Sequence, residues 1–133
     1  MARLADNDVL DDGLDAMKAA VDAVAGEMTI CEGAPTTFEH ADSNKGTGAG
    51  KVLARVVNPT LTIEDDTSGR KCTISAENGL TIDISGTADH IALTDGSSKL
   101  WFVTTCTEQA LVAAGTVDVP AWKINVKDPT APA

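Results

Sequence analysis

The feature that most limits what this chain can become is a change of period at Gly26. Before it, Leu10, Leu14, Met17, Val21 and Val24 recur at spacings of 4, 3, 4 and 3 residues, which draws one apolar stripe along a helix. After it, apolar residues alternate with polar ones in short runs broken by Gly, Asn, Asp and Ser, and the helical period does not return. A period of two sends alternate side chains to opposite faces, so runs of this kind bury one face of a sheet. The sequence therefore predicts a mainly β chain, with an N-terminal amphipathic α-helix followed by a small antiparallel β-sandwich or barrel. Residues 1–26 read as the helix, 27–126 as the β domain and 127–133 as an extended tail.

Asp6, Asp8, Asp11 and Asp12 crowd the first turns of the helix, where carboxylates favour the positive end of its dipole. Gly13 interrupts it at a cost of about 1 kcal/mol relative to Ala, and Gly26 stands where a stop is expected. A helix this short is marginal in water, so its stripe needs a surface to lie on. That surface is either the chain's own β body or a neighbouring molecule. Leu10, Leu14, Met17, Val21 and Val24 are accordingly the candidate interface residues.

The β region opens with Met28 to Cys31. Gly33 to Gly50 then reads as one long irregular loop, rich in Gly, Pro and Thr. Strands are expected over Lys51–Val57, around Leu61 and Ile63, and over Arg70–Ser75. Asn78-Gly79 signals a turn, followed by alternation through Leu80, Ile82 and Ile84. Further runs are His90–Leu93, Leu100–Thr104, and Val117–Val126, the last interrupted by Pro120.

The chain carries 20 acidic and 10 basic residues among 133, a net charge of −10, and no stretch long enough to be a membrane span. A surface this negative repels phosphate backbones and anionic lipid, so neither nucleic acid nor membrane is an expected partner. No secretory leader is legible at the N-terminus, which points to synthesis and retention in the cytosol unless the protein leaves inside a larger particle.

Catalytic constellations fail on spacing. There is no Gly-x-Ser-x-Gly, and the two histidines, His40 and His90, lie in a polar loop and beside Asp89 in a strand run. Gly46-Thr47-Gly48-Ala49-Gly50-Lys51 lacks the P-loop spacing and is followed by Val52 rather than Ser or Thr. Glu64, Asp65 and Asp66 form an acidic turn without an EF-hand pattern. The reading is of a protein that is no enzyme and takes no metal or cofactor. Cys31, Cys72 and Cys106 are too widely spaced for a disulfide framework or a zinc site. Cys31 and Cys106, each at the end of a strand run, are the candidates for disulfide cross-linking.

Several segments, taken in order, resemble small virion-associated proteins of tailed phages and prophages. They are Arg3 to Ala16, Ile30-Cys31-Glu32-Gly33-Ala34-Pro35-Thr36-Thr37-Phe38, Ser68-Gly69-Arg70-Lys71, Gly86 to Asp95, and Val119-Pro120-Ala121-Trp122-Lys123-Ile124. The resemblance spans most of the chain, although similar proteins often carry Ser where Glu32 stands. It implies a phage structural protein located in the virion after assembly in the host cytoplasm. A head decoration or cement protein is the leading expectation, with the major capsid protein and further copies of itself, as a trimer, for partners. The alternative is a tail, collar or fibre module that binds a host receptor or another tail protein, using Trp101 or Trp122.

Overall fold

The computed structural model describes residues 7–21, 26–42, 51–67 and 69–126, with side chains from Gly13 onward. Helix α1 (Asn7–Val21) leads into strand β1 (Glu27–Glu32) and a short helix α2 (Phe38–Asp42). Eight further strands follow: β2 (Lys51–Val57), β3 (Leu61–Asp65), β4 (Arg70–Ile74), β5 (Glu77–Thr81), β6 (Gly86–Thr94), β7 (Leu100–Leu111), β8 (Thr116–Val119) and β9 (Trp122–Val126). They form a four-stranded sheet in the order β2-β1-β6-β7, a three-stranded sheet β3-β4-β9 and a two-stranded ribbon β5-β8, with every pairing antiparallel.

The protein is a small β-sandwich. Alternation does what the sequence implies: Cys72 and Ile74 on β4 are buried, while Arg70, Lys71 and Thr73 are only partly covered. On the inner face of the large sheet, Met28, Ile30, Ile91 and Leu93 pack into one core with Leu53, Leu61, Cys72 and Ile74. Helix α1 closes one side of this core against β3, β4 and β6. Gly26 lets β1 begin hard against the helix end, because a Cβ there would overlap the Val21 carbonyl.

A second, smaller cluster lies on the opposite face of the large sheet. Cys31, Val52 and Ala92 are covered there by Ala41 of α2, with Leu100 and Val103 alongside. The sequence reading gave this stretch to an irregular loop. Thr37 explains the difference, since its hydroxyl accepts from the His40 amide at 3.2 Å and its carbonyl from Ala41 at 3.3 Å, an N-cap that starts a single helical turn. Residues 43–50 of that loop lie outside the described residues.

Four other expectations need correction. Asn78-Gly79 is not a hairpin turn: it lies inside β5, where Gly79 has φ 70° and the register with β8 shifts, so it forms a bulge. Ile82 and Ile84 fall beyond β5, in a segment whose Asp83 and Ile84 amides donate to the Leu53 carbonyl and so cover the outer edge of β2. The run from Val117 to Val126 is two strands in different sheets, with Pro120 and Ala121 as the crossing. Finally, β7 runs on from Thr104 to Leu111, through Thr105-Cys106-Thr107-Glu108-Gln109-Ala110, where the sequence shows no alternation.

Candidate functional site

Most polar clusters that drew attention in the sequence are committed to holding the fold. At the β3–β4 turn, Asp66 accepts two contacts from the Lys123 ammonium, both at 2.9 Å, and others from Asn125 and the Thr67 amide. These hold its carboxyl down at about 2, with Lys123 the largest cause. Asp65 pairs with Arg70 at 2.7 Å, and Glu64 accepts from the Thr73 hydroxyl at 2.7 Å. Each of the three carboxylates thus already holds a cation or a donor, and no group of three or more metal-binding side chains occurs among the described residues.

His90 donates through Nδ1–H to Asp89 at 2.7 Å, and Asp89 also accepts from the Gly33 amide at 2.8 Å. The His90 contact, then the Gly33 amide, holds the Asp89 carboxyl below the usual carboxylate range against the opposing effect of burial. This pair ties the exit of β1 to β6 through Gly33, whose φ of 80° suits glycine. Its chemistry is that of a brace.

The candidate interface stripe divides in two. Leu14, Met17 and Val21 are 4%, 5% and 0% exposed and belong to the chain's own core. The expectation that these three form an intermolecular contact is corrected on that ground, because a side chain already covered by its own fold has no surface to offer. The side chains of Leu10 and Val24 lie outside the described residues.

Of the two thiols expected to cross-link at a docking surface, Cys31 is excluded by burial and Cys106 is half-buried, and the two do not lie near enough to pair with each other. All three cysteines are free thiols. Cys31 on β1 lies opposite His90 on β6, which in turn lies opposite Thr105 on β7, so a whole strand separates the two cysteines. Two strand spacings are about 9.6 Å, beyond the roughly 7 Å of Cα separation that a disulfide can bridge. Cys31 is also fully buried, and burial pushes its thiol up to about 11. Cys106 is half-buried, with its thiol raised by desolvation and by the nearby Asp89.

What remains accessible gathers where β7 faces β8 and β9. An open cleft of about 540 Å³ lies there, with Ile91, Leu111, Val119 and Trp122 among its apolar walls and Thr104, Cys106 and Gln109 among its polar ones. That volume is in the range of small-ligand sites. Trp122 packs against Phe102 across the sandwich, with ring centroids 6.2 Å apart. Its buried indole N–H meets no acceptor among the described residues, nor does that of Trp101; buried indoles ordinarily find one. The cleft thus offers apolar walls with hydroxyl, thiol and amide groups along the β7 side. At the start of β7, Lys99 sits 4.1 Å from the centroid of the Trp101 ring.

The outer edge of β7 is the other accessible feature. It has no strand partner among the described residues. The sequence pointed to Trp101 and Trp122 but missed the length of β7 and the cleft. No helix of the described residues is long and apolar enough to cross a membrane. No family model, no curated protein and no solved structure matches the chain.

Proposed function

We propose that this chain is a structural protein of a tailed-phage particle, and specifically a capsid decoration or cement protein that binds the outside of the head and stabilises it. The observation that carries the reading is the way the phage-like segments meet in the fold. Gly33, from the segment Ile30 to Phe38, donates to Asp89, from the segment Gly86 to Asp95, and Glu32 accepts from the Thr87 amide at 2.7 Å. Gly69 to Lys71 leads into β4, and Val119 to Ile124 carries the chain between sheets. These segments brace a scaffold, which is the role a non-catalytic particle subunit asks of them.

A small braced sandwich with a net charge of −10 suits repeated docking on an outer surface away from packaged DNA. The partners are the major capsid protein and further copies of the chain. Fractionation of purified particles tests this reading: many copies should travel with DNA-filled heads stripped of tails. Recovery in the tail fraction alone would overturn it and favour the second reading, a tail, collar or fibre module, which draws its support from the Trp122 cleft.

A further inference from the structure

Asn78-Gly79 is a turn signal that the fold does not use as a turn. On β5 the register passes from Glu77 opposite Val119 to Leu80 opposite Val117, so Asn78 and Gly79 together face one residue of β8, Asp118. Gly79 takes φ 70°, the left-handed form that a bulge of this kind asks of glycine. Its amide donates to the Asp118 carboxylate at 2.8 Å. Both residues of the bulge are exposed, and a Cβ on Gly79 would meet nothing within 4 Å. An exposed carboxamide, a following nitrogen with no side chain to shield it and an open approach are the requirements of one reaction. The Gly79 nitrogen bonds to Cγ of Asn78 and gives up its proton. The Cγ–Nδ2 bond breaks, and the departing nitrogen takes up a proton and leaves as ammonia, with a cyclic imide left behind. Water then opens the imide at either carbonyl, leaving aspartate or isoaspartate at position 78.

We infer that Asn78 is a deamidation site whose rate Asp118 restrains. The nitrogen that must attack is the one whose proton Asp118 holds. A hydrogen bond to a carboxylate is stronger than one to a neutral acceptor, and the carboxylate's charge opposes the loss of the proton that the attack demands. Attack therefore waits for the bulge to open locally and the Gly79 amide to leave Asp118. Each event adds one negative charge next to Asp118 and Glu77, in a chain already at −10, and like charges facing each other across a strand pair destabilise it. Val117, Asp118 and Val119 of β8 line the cleft, so loosening of the β5–β8 ribbon reaches that wall. Asn125 is the comparison within the same chain: Val126, with a branched side chain, follows it, and its carboxamide donates to Asp66 at 3.2 Å.

The inference does not rest on the virion reading, and the test uses the purified full chain alone. That chain is held in warm neutral buffer, sampled over weeks and digested, and mass spectrometry reads the conversion of amide to acid at each Asn while an isoaspartate methyltransferase counts the isoaspartate. Asn78 should convert first and Asn125 should stay intact. Asp118→Ala, checked by circular dichroism to be folded at the incubation temperature, should speed conversion at Asn78 about tenfold, the size of a lost hydrogen bond to a charged group. Asp118→Asn keeps a neutral acceptor and should fall between the two; it decides the matter if the alanine variant does not fold. The parent chain in urea should convert faster than the native one. Asn78 intact in the parent and in the folded Asp118 variants, or Asn125 converting as fast as Asn78, would overturn the site. Conversion unchanged or slowed by the Asp118 changes would overturn the restraint, a slower rate meaning that the carboxylate takes the proton instead of holding it.

Discussion

Removing the Leu14 side chain beyond Cβ separates the two roles that the helical stripe could have played. Leu14 is 4% exposed and packs with Met17 and Val21 into the core closed by β3, β4 and β6. Buried Leu→Ala changes cost about 2–5 kcal/mol, the spread reflecting how far the surroundings collapse. A helix lying on the open side of a sandwich can settle inward, so the lower half of that range applies, about 3 kcal/mol. For a chain of 133 residues, an unfolding entropy of about 2.1 cal/mol/K per residue gives about 0.28 kcal/mol/K, and the expected drop in Tm is about 10 °C. Gly13, next in the chain, supplies the control. It is exposed, and a Cβ there would meet nothing within 4 Å. Gly13→Ala should raise stability by about 0.5–1 kcal/mol through helix propensity and the unfolded chain's lost freedom. Adjacent substitutions of opposite sign, read by circular dichroism on heating and in urea, are the signature of a helix that closes its own core. A Leu14→Ala melt within about 1 °C of the parent would refute the reasoning, because a change that small belongs to a solvent-facing side chain.

Two further outcomes follow from the titratable groups. Asp66 and Asp95 are both held near 2, Asp66 chiefly by Lys123 and Asp95 by the Ser98, Lys99 and Ser97 amides of the β6–β7 turn. Since their folded values lie below the ordinary 3.8, their contribution is complete above that value and is lost as pH falls through about 2. Stability in urea should thus be flat above about pH 5 and decline between about 4 and 2, and Asp95→Asn should shrink that decline. Thiol titration with an aromatic disulfide should find Cys106 slow to react in the native protein and Cys31 and Cys72 silent, with all three reporting in denaturant. A fast native reaction of two or more thiols would show that the strands carrying Cys31 and Cys72 open readily.

Elements governed by periodicity were legible in the sequence: the helix, β1 to β4 and the core of β6 all fall where alternation or the 3.6 period places them. What escaped was decided by interactions between distant segments. Nothing in Thr105 to Ala110 alternates, yet β6 extends β7 through them by pairing Ala88 with Gln109 and Thr87 with Ala110. Asn78-Gly79 carries a local turn signal, and pairing with Thr116 to Val119 overrides it as a bulge. The Thr37 cap was readable, but a single helical turn yields no hydrophobic period. Of the site, the two tryptophans stood out by scarcity, whereas the cleft arises from the crossing at Pro120, which no local pattern reveals.

The strand order has a kinetic consequence. Strand β1 sits between β2 and β6, and β4 between β3 and β9, so the middle of each sheet waits for a partner from much later in the chain. Cys31 meets His90, and Cys72 meets Ile124, across loops of more than about fifty residues. Closing such loops comes before any reward from the pairing, which places this fold among the slow, millisecond-to-second folders. During synthesis β4 has only its hairpin partner β3 until β9 emerges and completes the three-stranded sheet.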